Sequence, residues 1–524
     1  MSENERTAME RWAERVHTVR VIGTGVMGRG IAQLAAAAGI TVELADARPE
    51  AIDQAIDYIG GMYDKLASKG RMTAEDATAA KGRLRPLADP LAPAAGVDLV
   101  IEAVREDLET KRELFTALEK VVGADTVLAT NTSSLSVTSI GATLADPSRL
   151  AGLHFFNPVP LMRLVEVIAG ARTTPWIPDA LIDLVRRLGH QPVRAPDTPG
   201  FLVNHAGRGL PTEALQILAE GIAEPVDIDR IARDVLGLKM GPFELMDLTG
   251  LDVSHPVLET VWSGFYDEPR LRPSHITRTR MEAGLLGRKT GAGFYSYTGG
   301  AKQEPPEPEA PAAEPRPIWV DVNAQPDVRD SLYGLLEASG VEVERDTWPS
   351  DQAIVLVAAY GTAVVAHAGA YALPLERTFG IDPLGGFASR LTLAVHPGAD
   401  PGAGRAALAA LARTGRPVTV VRDAPGTVAQ RLLASIVNVS CGIAEQHLAR
   451  PEDIDTAVRL GLGYPRGPLE WGDHAGATTV LTILSGLADA TGDPRYRPSQ
   501  WLAERAELGL PLTATGTTPA ALYR

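Results

Sequence analysis

The stretch TVRVIGTGVMGRGIAQLAAAAG opens on a short apolar run, breaks at glycine, and continues with apolar residues at helical spacing. It predicts a strand, a tight turn and a helix. TVELADA predicts the next strand, and a polar helical stretch follows from about Glu50 to Lys81. VDLVIEAV and TVLATNTSS predict further buried strands, with a helix, Leu108 to Val122, between them. This rhythm implies a doubly wound parallel sheet. After Pro199 the pattern turns helical and stays so to about Gly291. Thr298 to Pro317, TGGAKQEPPEPEAPAAEPRP, cannot build a core and predicts an extended linker. Strand-like runs return in IWVDV, AIVLVA, RLTLAV and PVTVV.

The helical pattern occurs twice. Asp197–Asp247 aligns on Asp423–Asp473 without a gap. Shared positions include Asp197/Asp423, Pro199/Pro425, Gly200/Gly426, Asp227/Asp453, Asp229/Asp455, Gly241/Gly467, Pro242/Pro468, Glu244/Glu470 and Asp247/Asp473. Agreement at turn residues and periodic apolar sites together marks an internal repeat.

Gly23, Gly25 and Gly28 form G-x-G-x-x-G directly after a strand and at a helix start, with Val26 and Met27 inside the loop. The first glycine permits the turn, the second admits a pyrophosphate to the backbone, and the third lets helix and strand close up. The helix start offers free N–H groups to phosphate. Asp46 ends the second strand, where a carboxylate accepts from ribose hydroxyls and repels a 2′-phosphate, which favours NAD over NADP. Arg48 nearby blunts that preference slightly. The expected architecture is a Rossmann-type NAD-binding domain (17–196) and an all-α domain (197–297). The linker (298–317), a degenerate Rossmann-like domain without a glycine loop (318–422) and a second α domain (423–510) complete it.

Composition narrows the partners. The chain has 524 residues, 45% apolar and 22% charged, with a formal net charge of −15. That size suits several domains, and that charge opposes nucleic-acid binding, which leaves a basic footprint. Cys441 is the one cysteine, so no internal disulfide forms. A reducing, cytoplasmic setting fits, and Cys441 reads as a small buried side chain rather than a nucleophile. MSENERTAMERWAERVHT lacks the apolar core of a secretory signal. Ala353 to Leu375 carries no charge and is long enough to span a membrane. Gly361, Thr362, His367 and Pro374 interrupt it, and AIVLVA reads as a buried strand instead.

IGTGVMGRGIA, IEAVREDLETKRELF, ATNTSSLSVTSI, GLHFFNPVPLMRLVEV, TPGFLVN, GPFELMDLTGLDV and GRKTGAGFY follow one another between Val19 and Tyr297. On these motifs the chain resembles the 3-hydroxyacyl-CoA dehydrogenase family. Its two-part layout is similar to the long 3-hydroxyadipyl-CoA dehydrogenases of phenylacetate breakdown, and 3-hydroxybutyryl-CoA dehydrogenases share every motif of the first half. The resemblance implies NAD-dependent oxidation of an (S)-3-hydroxyacyl-CoA, with His154 as base and Glu166 as the acid that orients it. A neutral imidazole suits an alcohol proton near pH 7, and a strand–turn–strand through Asn157–Pro160 can bring the two face to face. By residue type alone, His154 also fits a core histidine and Glu166 a solvated strand charge.

The resemblance further implies that Ser133 and Asn204 complete the site, each bonding the substrate's oxygen or thioester carbonyl or holding the base, with Ser133 also a cofactor contact, although Asn204 also fits a surface helix. Ser134 is better read as a helix cap. Glu106, Lys111, Asn157 and Lys289 are implied dinucleotide contacts, a capping charge and a solvated lysine being the plainer readings of Glu106 and Lys111. Lys65 and Lys69, on one helix face, are implied coenzyme A contacts. His205 departs from the family, which often has arginine there. Arg163, Arg208 and Arg288 are candidate partners for a substrate's terminal carboxylate. No metal site is expected. In the second half, Gln430 stands where Asn204 stands and His396 echoes His154, but no glutamate follows it at the same spacing, so this half reads as a copy without dinucleotide or chemistry. An NADPH-dependent reductase and a non-catalytic, crystallin-like relative are the rival readings. In short members of the family the helical domain pairs with its copy in another subunit; here the second repeat is expected to supply that partner within the chain, leaving homo-oligomers open.

Overall fold

The computed structural model describes residues 12–523; most of the stretch read against a secretory signal, residues 1–11, lies outside the described residues. The chain divides into two compact units, Met1–His205 with Leu448–Leu462, and Ala206–His447 with Gly463–Arg524.

The first unit is built on β1 (Thr18–Ile22), β2 (Thr41–Ala45), β3 (Leu84–Pro86), β4 (Leu99–Glu102), β5 (Val127–Thr130), β6 (Leu150–Phe155), β7 (Leu164–Ala169) and β8 (Gln191–Pro196). They form one sheet in the order β3-β2-β1-β4-β5-β6-β7-β8. All neighbours are parallel except β6 and β7. Val19, Val21, Leu99, Ile101, Leu153, Phe155, Val165 and Val167 share a buried cluster with Ile31, Ile59 and Leu181 from the helices. Because strand side chains alternate, His154 and Glu166 fall on the opposite face. The polar stretch after Asp46 is two helices, Pro49–Ser68 and Ala74–Lys81. Thr73 caps the second by accepting from Asp76 N–H. The helix Pro451–Gly461, from the second repeat, packs on β7 and β8 of this first sheet.

The second unit holds the hairpin β9 (Ser296–Thr298) and β10 (Ala301–Gln303), and a sheet of β11 (Ile318–Val320), β12 (Val343–Glu344), β13 (Ile354–Val357), β14 (Thr378–Ile381), β15 (Leu391–Val395) and β16 (Val418–Arg422). The order is β12-β11-β13-β14-β15-β16, and only β14 and β15 are antiparallel. The uncharged stretch Ala353–Leu375 is β13 and a short helix, Val364–Tyr371. Among the described residues no helix is long and apolar enough to cross a membrane.

The repeated aspartates are helix anchors. Asp197 accepts from the N–H groups of Val137 and Thr138 at 2.8 Å each, and Asp423 accepts from Val364 at 2.8 Å and Val365 at 3.1 Å. Asp229 accepts from Phe243 N–H at 3.0 Å and Glu244 N–H at 2.9 Å, capping the helix Pro242–Thr249. Gly241 is required there, since a Cβ would stand 2.3 Å from the Asp229 carboxyl carbon. Glu244 closes the cap by accepting from Gly241 N–H at 2.8 Å.

The segment expected to be a plain linker is pinned. Its first residues belong to the β9–β10 hairpin. Glu304 meets Arg230 and Arg233 at 3.1 Å each, and Glu307 meets Arg390 at 2.5 Å. The proline–glutamate composition predicted extension but hid these buried arginine partners.

Helix Val428–Glu445 is buried along nearly its whole length and packs against Gly209–Ala219, Pro468–Ala475, Ala477–Thr491 and Gln500–Leu508. A Cβ at Gly209 would stand 2.7 Å from the Ile436 Cα, so the two repeats' helices cross backbone to backbone. Beside the crossing, Arg431 bonds Glu213 and Glu220 at 2.6 Å each and the Tyr496 hydroxyl at 2.6 Å. Arg431→Met leaves Glu213, 1% exposed, with only the longer Arg495 pair at 3.7 Å and the Tyr496 hydroxyl at 3.0 Å, and is expected to destabilise the unit by up to about 3–5 kcal/mol. Pairing it with Glu213→Leu should recover most of the loss, as read by urea denaturation at pH 7.

Candidate active site

The antiparallel exception in the first sheet sets His154 directly opposite Glu166. Facing positions are close enough for side chains to meet, and His154 Nδ1 lies 2.7 Å from Glu166 Oε2. Glu166 is fully buried. Its other oxygen accepts from the backbone N–H groups of Leu202 at 2.9 Å and Val203 at 2.8 Å. These donors satisfy a carboxylate whose burial would otherwise be costly. With Nδ1 engaged, Nε2 is the nitrogen left for a proton. The rings of Phe156 and Phe201 flank the imidazole at 4.4 and 5.9 Å. Asn204 follows Val203 in the same short helix, Val203–Ala206, and His205 beside it is buried. Asn157 is exposed in the turn between β6 and β7.

Three loops meet at the carboxyl edge of β1, β2, β4 and β5. Gly23 N–H donates to the Ala45 carbonyl and Ala103 N–H to the Ile22 carbonyl, both at 2.8 Å. Gly23 has φ +92°, and a Cβ there would stand 2.5 Å from the Ala103 oxygen. A Cβ at Gly28 would stand 1.8 Å from the Gly23 oxygen, so helix Val26–Ala37 closes on β1 only with glycine at that position. Gly25 faces open space, and no side chain caps the helix. The backbone N–H groups there are open to a pyrophosphate. Val26 is half exposed and Met27 partly buried at the helix start.

Asp46 leans onto this loop, accepting from Thr24 N–H at 2.8 Å, Thr24 Oγ1 at 3.0 Å and Arg48 N–H at 3.1 Å. Burial opposes its charge, but these hydrogen bonds outweigh it and hold the carboxyl below its ordinary range.

Glu106 plays a part the sequence reading missed. One of its oxygens accepts from Thr132 Oγ1 at 2.7 Å, from Ser133 N–H at 2.8 Å and Oγ at 3.2 Å, and from Ser134 N–H and Oγ at 2.9 Å each. Burial opposes the charge, but Lys111 and these donors win and hold the carboxyl down at about 2. Asp107, not Glu106, caps helix Leu108–Leu118. Lys111 is not solvated: it is 1% exposed, 2.5 Å from Glu102 and 3.4 Å from Glu106. Ser134 does not cap the following helix; Ser136 does, because the loop turns two residues later and Ser134 is drawn onto Glu106. The cluster of hydroxyls in NTSS opposite an acid is the signal that could have revealed this knot.

Lys65 and Lys69 are exposed at the end of helix Pro49–Ser68. Arg163 is exposed immediately before β7. Lys289, paired with Asp252, and Arg208 and Arg288 belong to the second unit.

The second sheet shows what the corresponding positions became. β14 pairs with β15 as β6 pairs with β7, and Asp382 N–H donates to the Thr392 carbonyl at 3.2 Å. Asp382 therefore stands in the place of His154, and Thr392 in that of Glu166. The expected echo at His396 is wrong: it follows β15, the counterpart of β7, and β14 was not recognised in the sequence. The shared aspartate anchors align Tyr360 with Ser133. Gln430 donates to Asp382 at 3.0 Å and accepts from Gly361 N–H at 2.9 Å, and Thr427 also bonds Asp382. Burial pushes the Asp382 carboxyl up from its ordinary value. In place of the glycine loop, β11 runs into Asp321, bonded to His367 at 2.5 Å.

The model of the 3-hydroxyacyl-CoA dehydrogenase NAD-binding domain matches residues 18–198, and that of the 3-hydroxyacyl-CoA dehydrogenase C-terminal domain matches 200–297 and again 426–520. The chain belongs to the 3-hydroxyacyl-CoA dehydrogenase family. The dehydrogenase is 39% identical to 3-hydroxyadipyl-CoA dehydrogenase of Escherichia coli over 94% of this chain and 98% of that one. It is 39% identical to human mitochondrial hydroxyacyl-coenzyme A dehydrogenase over 54% of this chain and 91% of the relative. A crystal structure of 3-hydroxybutyryl-CoA dehydrogenase from Escherichia coli matches with a TM-score of 0.82 at 37% identity, covering 94% of this chain and 99% of that one. The dehydrogenase oxidises (S)-3-hydroxyacyl-CoA to 3-oxoacyl-CoA with NAD. Asp46→Ala tests the expectation that this carboxylate accepts from the ribose and repels a 2′-phosphate. It is expected to weaken NAD more than NADP, and an unchanged ratio of the two coenzymes' kcat/KM would refute that role.

Proposed function

We propose that the dehydrogenase acts on 3-hydroxyadipyl-CoA, with 3-hydroxybutyryl-CoA as the shorter alternative, in phenylacetate-type or fatty-acid catabolism in the cytoplasm. The name of the Escherichia coli relative, matched along almost its whole length, supports the adipyl reading. The His154–Glu166 bond at 2.7 Å is the observation that carries the chemistry. His154 Nε2 takes the hydroxyl proton as the C3 alcohol becomes a ketone. Glu166 holds the imidazole in the required tautomer and stabilises the imidazolium. Bound NAD supplies the hydride acceptor. Gly23, Gly25, Val26, Met27 and Gly28 cradle its phosphates, and Asp46 takes its ribose. Glu106 and Lys111 hold the loop that presents Ser133. Ser133 and Asn204 bind the substrate's oxygens, and Lys65 and Lys69 meet coenzyme A phosphates. Asn157 and Lys289 are assigned to the dinucleotide on family resemblance. The reading also includes the five-part division 17–196, 197–297, 298–317, 318–422 and 423–510.

His154→Gln is expected to lower kcat by about two to four decades, the scale of a lost general base, with little change in NAD binding. Near-normal NADH production from a 3-hydroxyacyl-CoA would remove His154 from the mechanism. Comparing kcat/KM for adipyl and butyryl substrates in the same assay decides the acyl group.

The two helical repeats pair within one chain and stand in for two subunits, a reading supported by the close crossing at Gly209 and Ile436. A tether of this kind supplies the partner at high effective concentration. Truncation after Tyr297 should give a fragment that dimerises or aggregates; one that is soluble, monomeric by sedimentation and fully active would refute the pairing.

A further inference from the structure

The helix Pro451–Gly461 comes from the repeat without chemistry, yet it belongs to the first unit. Its apolar stripe runs Ile454, Ala457, Val458, Gly461, with the first three fully buried. It packs on β7 and β8. Gly461, at its end, sits where no larger residue fits: a Cβ there would stand 2.9 Å from Leu164 Cδ2 and 3.0 and 3.1 Å from the two methyls of Val203. Leu164 and Glu166 are alternate residues of one strand, so they share a face. Val203 is one of the two residues whose backbone N–H holds Glu166. The glycine therefore abuts both elements that position the carboxylate.

The molecule contains its own comparison. In the first repeat the position equivalent to Gly461 is Val235, at the end of Pro225–Asp234. That residue packs beside Gly385, in the turn between β14 and β15, where a Cβ would stand 2.9 Å from Val235 Cγ1. The position equivalent to Val203 is Ala429. For the second sheet, then, the helix position carries valine and the position of Val203 carries alanine. Over His154 and Glu166 the arrangement is reversed, with glycine above and valine below.

We propose that Gly461 is a positioning residue for the reaction of the first half: by letting its helix close onto Leu164 and Val203, it fixes the backbone donors of Glu166 and so the orientation of His154. This rests on His154 acting as the base. It gives the second repeat a part in turnover that acts through contact with the catalytic layer.

The test uses the full chain. Gly461→Ala and Gly461→Val push Val203 away from Glu166 in two steps. The expected result is a loss of kcat, about tenfold or more for valine by the usual penalty for displaced catalytic groups, with the KM for NAD nearly unchanged. Weaker backbone donation leaves more of the Glu166 charge facing the imidazole, which favours its protonated form. The acidic limb of the kcat/KM profile should therefore move to higher pH. Adding Val203→Ala to Gly461→Val, the pairing found in the inert half, should restore kcat and the limb together. If alanine and valine variants that remain folded keep the parent kcat and pH profile, or if the double variant recovers nothing, the proposal is overturned. His154→Gln assayed alongside separates the two ideas: full loss there with neutral Gly461 variants removes this proposal alone, whereas an active His154→Gln removes the reading beneath it.

Discussion

Glu166 is a carboxylate buried with no access to water, and its need for partners organises the site around it. An unpaired charge at such depth is strongly unfavourable, so donors must come from elements held rigidly on both sides. One is the imidazole across the strand pair, and the others are the first N–H groups of the segment that opens the helical part. Strand reversal between β6 and β7 makes the first meeting possible. Parallel neighbours would have sent the chain away through a crossover, and the histidine would have come from a distant segment.

The second sheet keeps the same reversal without the carboxylate. With Thr392 in that place, the backbone still pairs, but no charge remains to hold an imidazole. Asp382 instead takes hydrogen bonds from Thr427 and Gln430. What survives in both halves includes the aspartate that holds a helix start, Asp197 in one and Asp423 in the other, whose loss would leave backbone donors unpaired.

Much of this was legible in the residues. G-x-G-x-x-G after a strand, with Asp46 beyond it, located the dinucleotide loop because glycine geometry is local. The His154–Glu166 facing followed from a short turn between two apolar runs. The repeat was legible because turn residues align. What escaped depended on distant partners. Glu106 looked like a capping charge because its partners Thr132, Ser133 and Ser134 lie across the sheet. Lys111 looked solvated because nothing local announces Glu102 beneath it. β14 is brief, carries Gly380 and runs into Asp382, so alternation could not reveal it, and the match to His396 slid by one strand as a result. The linker's glutamates read as solvation because Arg230 and Arg390 are far away in sequence.

The membership of helix Pro451–Gly461 in the first unit bears on how the chain is made. Residues 206–447 lie between the two parts of that unit, so its β7–β8 surface leaves the ribosome long before its cover. At about 5–20 residues per second, the uncovered sheet waits on the order of ten seconds or more. Over that interval an apolar face is open to aggregation. Cells that express this protein at high level need either fast enough elongation or enough chaperone capacity to shield the waiting half, and a stop codon before Pro451 produces a chain that never gains this cover.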